Sequence, residues 1–277
     1  TVNSDLTDHC SLTTDYCSLT TMNIIVPIKQ IPNLTDELEI NSEGNNLDHE
    51  ALQYVLNEFD EHAIEEAVLA KESAGGTVTV VGVDTTGELD GALHTALAKG
   101  ADKAAKITGD FPRGTDSHTQ AKLLAEAIKD MSPDIVFTGV QAADDRDGQI
   151  GPMIAAHLGM PYVGVVTGVT VSGGKAVLHK EYAGGVMAEF EVSLPMVVGV
   201  QAAHQPPRYA PVSKIRQIAK TAKIDEIAGG EAAGAGSTVR RMFKPEAAGH
   251  AEMWEGSPEE VAEKIAGLIR DKGLLRS

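Results

Sequence analysis

Between residues 139 and 151 the chain reads Gly-Val-Gln-Ala-Ala-Asp-Asp-Arg-Asp-Gly-Gln-Ile-Gly, a loop that gathers glycines, acids and glutamines. It follows an apolar strand pattern, Asp134-Ile135-Val136-Phe137-Thr138, and precedes a helical one from Pro152 to Leu158. In an open α/β sheet, ligands gather where the carboxyl end of a strand meets the next helix. N–H groups at a helix start hold phosphate, and glycines let the backbone approach it closely. The chemistry on offer is therefore nucleotide binding through backbone amides and Gln149. Asp144, Asp145 and Asp147 would meet sugar hydroxyls or shape the loop. Acids disfavour a bound phosphate unless they point away from it. They also make a poor metal site, because neighbouring loop acids point in different directions and a hard cation needs convergent oxygens.

Asn57-Glu58-Phe59-Asp60 is a second candidate. It reads as a helix start, with Asn57 as N-cap and acids in the first turn. At the same end of a sheet these residues would also reach an adenine or a ribose. Arg208-Tyr209, after Pro206-Pro207, reads as a stiff surface turn. The sequence has no G-x-x-x-x-G-K-[ST] phosphate loop, no G-x-G-x-x-G behind its first strand and no G-x-S-x-G elbow. Its histidines lack H-x-x-x-H spacing and fit surface or packing roles.

Strands and helices alternate around these residues. Asn23 to Ile28 reads as a buried first strand, with Lys29 to Asn33 leaving it as a loop. Ile64, Ala67 and Val68 repeat at helical spacing up to Gly75-Gly76. A strand over Thr77 to Val83, a helix through Leu93 and Leu97, and a short strand at Lys106 to Thr108 follow. Leu123, Leu124, Ala127 and Ile128 mark the helix before the Ile135 strand. The pattern predicts an α/β fold, an open and mostly parallel sheet with helices on both faces. Val163 to Val171, Lys175 to Tyr182, Val186 to Val192 and Met196 to Val200 are strands with little helix between them. They are expected as an antiparallel extension.

Three regions follow. Residues 1–21 are Thr/Ser-rich and nearly repeat Asp-His-Cys-Ser-Leu-Thr-Thr as Asp-Tyr-Cys-Ser-Leu-Thr-Thr, directly before Met22. They carry no basic residue, unlike a signal or transit peptide, and read as an upstream translation artefact or a disordered tail. Residues 22–227 form the α/β domain. Residues 228–277 begin as a Gly/Ala-rich linker and end in an arm, where Ser257, Pro258 and Glu260 start a helix lined by Val261, Ile265, Leu268 and Ile269. Both cysteines, Cys10 and Cys17, lie in the first region, so the body has no disulfide or cysteine nucleophile, and a cytoplasmic location is expected. The net charge of −17 argues against nucleic acid or an anionic membrane as partner. No apolar run is long enough to make the chain membrane-embedded.

Five stretches, in order, resemble the β-subunit family of electron transfer flavoproteins (FixA/EtfB) from about Met22 to Ile227. They are Val26 to Pro32, similar to V-K-Q-V-P; Leu56 to Ala67, similar to N-P-F-x-E-x-A-x-E-E-A; Ala96 to Asp102, similar to A-L-A-M-G-A-D; the 139–151 loop, similar to G-x-Q-A-x-D-x-D-x-x-Q-x-G; and Leu194 to Val198 with Pro207-Arg208-Tyr209, similar to L-P-A-V-V followed by P-R-Y. The resemblance implies an adenine-nucleotide alpha-hydrolase-like fold and a heterodimer with an α subunit that holds the redox FAD. It implies an AMP in this chain at Pro27, at Asn57, Glu58, Phe59 and Asp60, at Asp84, and along Val140, Gln141, Ala142, Asp144, Asp145, Arg146, Asp147, Gly148, Gln149, Ile150 and Gly151. It implies docking of acyl-CoA or other flavin dehydrogenases through Arg208, Tyr209 and the apolar anchor Val212, with electrons passing on to a membrane quinone oxidoreductase or similar acceptor. Glu58 replaces the family's usual proline, Asp84 stands where small residues or cysteine are common, and Ala183 replaces a frequent acid. Some relatives bind a second FAD in place of AMP, bifurcate electrons from NADH, and tend to lack the phenylalanine that is Phe59 here. A stand-alone adenine-nucleotide-binding protein of similar fold is the remaining alternative.

Overall fold

The computed structural model describes residues 21–50, 52–145, 147–231, 239–246, 249 and 251–274. The predicted artefact or tail, but for Thr21, and residues 232–237 of the linker lie outside that set. In chain order the elements are β1 Asn23–Pro27, β2 Gln30–Pro32, β3 Tyr54–Leu56, α1 Glu58–Ala74, β4 Thr77–Val83, α2 Asp90–Ala98, β5 Lys103–Thr108, α3 Ser117–Met131 and β6 Ile135–Gly139. Then come α4 Ile150–Leu158, β7 Tyr162–Val166, β8 Gly168–Ser172, β9 Lys175–Tyr182, β10 Val186–Ser193, β11 Met196–Val200, α5 Val212–Thr221, β12 Ile224–Ala228 and α6 Pro258–Asp271.

Seven strands form one parallel sheet in the order β12-β5-β4-β1-β6-β11-β7. From β1 the chain winds outward through β4 and β5, then returns to lay β6 along the other side of β1. The order therefore reverses between β1 and β6. Alternate side chains of the central strands feed two cores, as a strand's period of two requires. Ile24, Val26 and Phe137 meet Ile64, Val68 and Leu93 on the α1/α2 face. Ile25 and Val136 meet Leu124, Ile128 and Ile154 on the α3/α4 face.

The antiparallel part differs in detail from its sequence pattern. β7 and β11 are parallel members of the main sheet. Of that stretch β8, β9 and β10 alone are antiparallel, and they make a separate three-stranded sheet packed beside α1, with Val169 and Leu178 in the α1-side core. The run from Val163 to Val171 looks like one strand because its five valines and two threonines are strand-forming residues throughout. It breaks at Thr167, between β7 and β8, while Val165, inside β7, falls out of register with β11 at φ 62°, a conformation that a β-branched residue seldom adopts. β2 and β3 pair where a loop was expected, and α5 and β12 were not foreseen. β12 becomes a strand by pairing with β5, a contact outside the reach of local pattern.

One buried carboxylate joins the small sheet to the large domain. Glu66, in the middle of α1, is fully buried. Its Oε1 accepts the Val169 N–H at 2.5 Å, at the start of β8, and lies 2.7 Å from Nδ1 of His204. Its Oε2 accepts the His204 N–H at 3.0 Å. A buried carboxylate is tolerated only when donors surround it, and removing it strands those donors. Glu66→Ala is therefore expected to cost roughly 3 kcal/mol, in the range for breaking a buried pair. A fall in the thermal or urea midpoint of the purified protein measures it.

Candidate functional site

A cleft, partly open to solvent, lies at the carboxyl ends of β1 and β6, where the strand order reverses. Such switch points are where open α/β sheets take ligands. The walls are Pro27, Ile28 and Lys29 after β1; Asn57 and Asp60 at the start of α1; Gln120 and Leu124 from α3; and Thr138 to Ala142, Asp145 and Asp147 to Ile150 around the loop. The last of these begin α4, whose first N–H groups lack intrahelical acceptors.

Local chemistry locks these pieces together. Asn57 stands at the N-cap position of α1, but its side chain makes no cap bond. Its Nδ2 instead donates to the Gln141 carbonyl at 2.9 Å, tying α1 to the loop. Asp60 accepts the Lys29 N–H at 2.8 Å, and the Asn57 N–H donates to the Lys29 carbonyl at 3.0 Å. Gly139 lets β6 end close against this helix start, since a Cβ there would sit 2.3 Å from Asp60 Oδ1. Gly148, at φ 64°, turns the loop back, and a Cβ there would lie 3.0 Å from the Val140 carbonyl.

The acids have structural partners. Lys29 Nζ reaches Asp144 Oδ1 and Asp145 Oδ2, each at 2.8 Å. Burial pulls the Lys29 ammonium down, but the two carboxylates outweigh it and hold its pKa above the ordinary lysine value. Asp147 Oδ1 accepts the Gln149 N–H at 3.3 Å, at the mouth of α4. Among the described residues no group of His, Cys, Asp or Glu converges as a metal site. No helix among them is long and apolar enough to cross a membrane.

Of the residues picked out in the sequence, Pro27, Asn57, Asp60, Val140, Gln141, Ala142, Asp145, Asp147, Gly148, Gln149 and Ile150 line the cleft. Asp144 joins them through Lys29. Glu58 is exposed and Phe59 half-buried, and neither lines it. Gly151 serves packing, because a Cβ there would sit 2.7 Å from Thr138 Oγ1 and 2.9 Å from the Tyr162 ring. Asp84 lines a separate open depression beyond β4 and β5, where its Oδ1 accepts the Gly87 N–H at 2.8 Å. Arg146 lies outside the described residues. Lys29 and Gln120 escaped notice as site residues. A lysine after a buried strand, and a glutamine one turn before Leu123 and Leu124 on an apolar helix face, were the available signals.

Far along α1 lies the second region. Arg208 is an internal tie: its Nε and Nη2 bond Glu65 at 2.9 and 2.8 Å, and its Nη1 bonds Glu72 at 2.9 Å. The two carboxylates raise its pKa further above the ordinary arginine value. Tyr209 and Val212 are 82% and 58% exposed, and Val212 begins α5. So two of the three expected docking residues face solvent, while the arginine is engaged within the chain.

A parallel α/β sheet with such a cleft at its switch point is a ligand-taking architecture of the open α/β class. Residues 45–231 match the electron transfer flavoprotein domain family. The chain is 37% identical over 262 residues to the electron transfer flavoprotein subunit beta of Methylophilus methylotrophus, covering 90% of this chain and 98% of that one. It is 30% identical over 243 residues to the protein FixA of Azorhizobium caulinodans, covering 82% and 85%. It is 30% identical over 264 residues to the caffeyl-CoA reductase-Etf complex subunit CarD of Acetobacterium woodii, covering 92% and 100%. The chain belongs to the electron transfer flavoprotein family. Within it, the chain is of the β-subunit and FixA type, with a role in electron transfer.

Asp60 gives the site a pH signature. Burial pushes its carboxyl up to about 7, against the Lys29 and Gly139 N–H groups and the Asn57 side chain, which favour the charged form. The folded chain therefore holds a proton here that the unfolded chain loses near 3.8. The stability from this group is full below 3.8 and is lost as pH rises through about 7. Asp60→Asn stays neutral at every pH. Relative to the parent, its melting temperature is expected to improve steadily between pH 4 and pH 8, and a constant offset across that range would disprove the assignment.

Proposed function

We propose that this chain is the β subunit of a heterodimeric electron transfer flavoprotein, that it holds AMP in the cleft between β1 and β6, and that it docks dehydrogenases through the segment carrying Tyr209 and Val212. The observation that carries this reading is the convergence of the Lys29 turn, the start of α1 and the 139–151 loop on one switch-point cleft. The residues suit a mononucleotide. Pro27, Ile28 and Leu124 offer apolar walls for a base, and the start of α4 offers N–H groups for a phosphate. The FAD of the complex, shared with an α subunit, takes up and releases the electrons. This chain supplies binding surfaces, and the flow runs from acyl-CoA-type dehydrogenases to a membrane quinone oxidoreductase or a similar acceptor. Phe59, by its resemblance to AMP-binding relatives, favours AMP over a second FAD.

The C-terminal arm contributes to pairing in this reading. α6 starts with a complete Ser257–Glu260 capping box, yet none of its residues is buried. Ile265 and Leu268 are 46% and 44% exposed, on the same face as Val261. A stripe of this kind needs an apolar surface to cover it, and the α subunit provides that surface.

Two measurements test the reading. Nucleotides extracted from the protein co-purified with its α subunit are expected to be one FAD and one AMP per heterodimer. Two FADs and no AMP would replace it with the bifurcating form that draws on NADH, and a stable monomer without an α partner would leave only an adenine-nucleotide-binding protein. Removing residues 238–277 is expected to weaken the heterodimer, seen as dissociation on dilution in sedimentation; unchanged association would dismiss the role given to α6.

A further inference from the structure

We propose that Glu65 is a positioning residue for the segment from Arg208 to Thr221, fixing the direction in which Tyr209, Val212 and α5 face a partner. The functional half of this statement rests on the docking role proposed above. Glu65 is 3% exposed in the middle of α1, five residues past the cleft residue Asp60. Its carboxylate accepts three donors of one residue, the Arg208 N–H at 2.9 Å, Nε at 2.9 Å and Nη2 at 2.8 Å. Glu72, two turns along the same helix, holds Nη1 from the other side. The Arg208 carbonyl accepts Lys99 Nζ at 2.8 Å, from a lysine whose side chain is almost fully buried. The N–H, the C=O and the guanidinium of one residue are thus all held. No freedom is left in the backbone immediately before Tyr209.

The chain on either side makes that anchor matter. Upstream, Glu66 holds His204, so two adjacent carboxylates of α1 grip both ends of the stretch Gln205-Pro206-Pro207, which its prolines already stiffen. Downstream, α5 has no buried residue and rests on α2, with only Ile215 and Ile218 half-buried on its inner side. An exposed helix held by so little side-chain burial takes its direction from the points that tether it, and these are Arg208 with the buried Ala210 before it and β12, paired with β5, after it. Here the carboxylate is buried and the arginine about one-third exposed, and ion pairs of this kind often add little net stability, their best-attested use being to specify one geometry. A bidentate fork fixes orientation as well as distance.

The test is hydrogen exchange on the complete heterodimer carrying Glu65→Gln, with Arg208→Lys as a second variant that keeps the charge and loses the fork. Exchange of the amides from Tyr209 to Thr221 is expected to rise by about tenfold or more in both, with α1, β1 and the bound nucleotide unchanged. Unchanged exchange in that segment overturns the proposal, and so does a rise shared equally by α1 and the central strands, which would make Glu65 a general support. Flavin reduction by a purified acyl-CoA dehydrogenase supplies the functional arm. The dehydrogenase concentration giving half-maximal rate is expected to rise about tenfold in Glu65→Gln, a difference of one decade in affinity, with the maximal rate retained. Val212→Ser separates the two ideas. If it leaves that concentration unchanged, the docking role fails and the exchange result alone decides Glu65; if it raises that concentration and Glu65→Gln does not, the positioning role fails.

Discussion

A carboxylate taken out of water must find donors, and in this molecule three of them on one helix decide where distant parts of the chain lie. α1 is pressed between the main sheet and the small antiparallel sheet. Asp60, Glu65 and Glu66 on that helix are 6%, 3% and 0% exposed, so none can rely on solvent. Each has drawn in a different segment. Asp60 holds the turn after β1, Glu65 holds Arg208, and Glu66 holds the start of β8 and His204. Hydrophobic burial brings α1 to the sheet, but it is indifferent to direction. The carboxylates supply the direction, because a hydrogen bond is satisfied at few positions.

The cleft shows the same logic from the opposite sign. A loop with acids at 144, 145 and 147 is an unpromising neighbour for a phosphate when read as a string. In space, two of the acids close on Lys29 and the third receives the amide of Gln149. The charges that would repel a nucleotide are engaged in shaping the loop that would hold it. The Asn57 side chain adds to this by leaving its own helix uncapped and bonding the Gln141 carbonyl.

Much of this was legible in the sequence. Alternating apolar strands and helices gave the parallel sheet, and the glycine- and acid-bearing loop behind the Ile135 strand located the cleft. Those signals are local: a strand's period, a helix's period and a turn's composition are written in neighbouring residues. What stayed hidden depends on contacts between distant residues. β12 is a strand because β5 lies beside it, and β8 leaves the main sheet because Glu66 and its own antiparallel partner claim it. Arg208 looked like an exposed charge after two prolines. Nothing near it in sequence announces Glu65, 143 residues away. The adjacent pair Glu65-Glu66, set within the apolar run Ala63, Ile64, Ala67 and Val68, was the one visible hint, since solvent-facing acids seldom interrupt a buried helix face.

The place of β1 at the centre of the sheet also bears on how the chain acquires its shape. β1 needs β4 on one side and β6 on the other, and Asn23 bonds the Asp134 carboxylate 111 residues further along. A pairing over such a span closes a long loop before it gains its contacts, and loop closure of that kind slows folding. Until β6 arrives, β1 presents an unpaired edge of Ile24, Ile25 and Val26. The strand that later anchors both hydrophobic layers therefore keeps one edge open to wrong partners until β6 pairs with it, even with β4 already in place on the other edge.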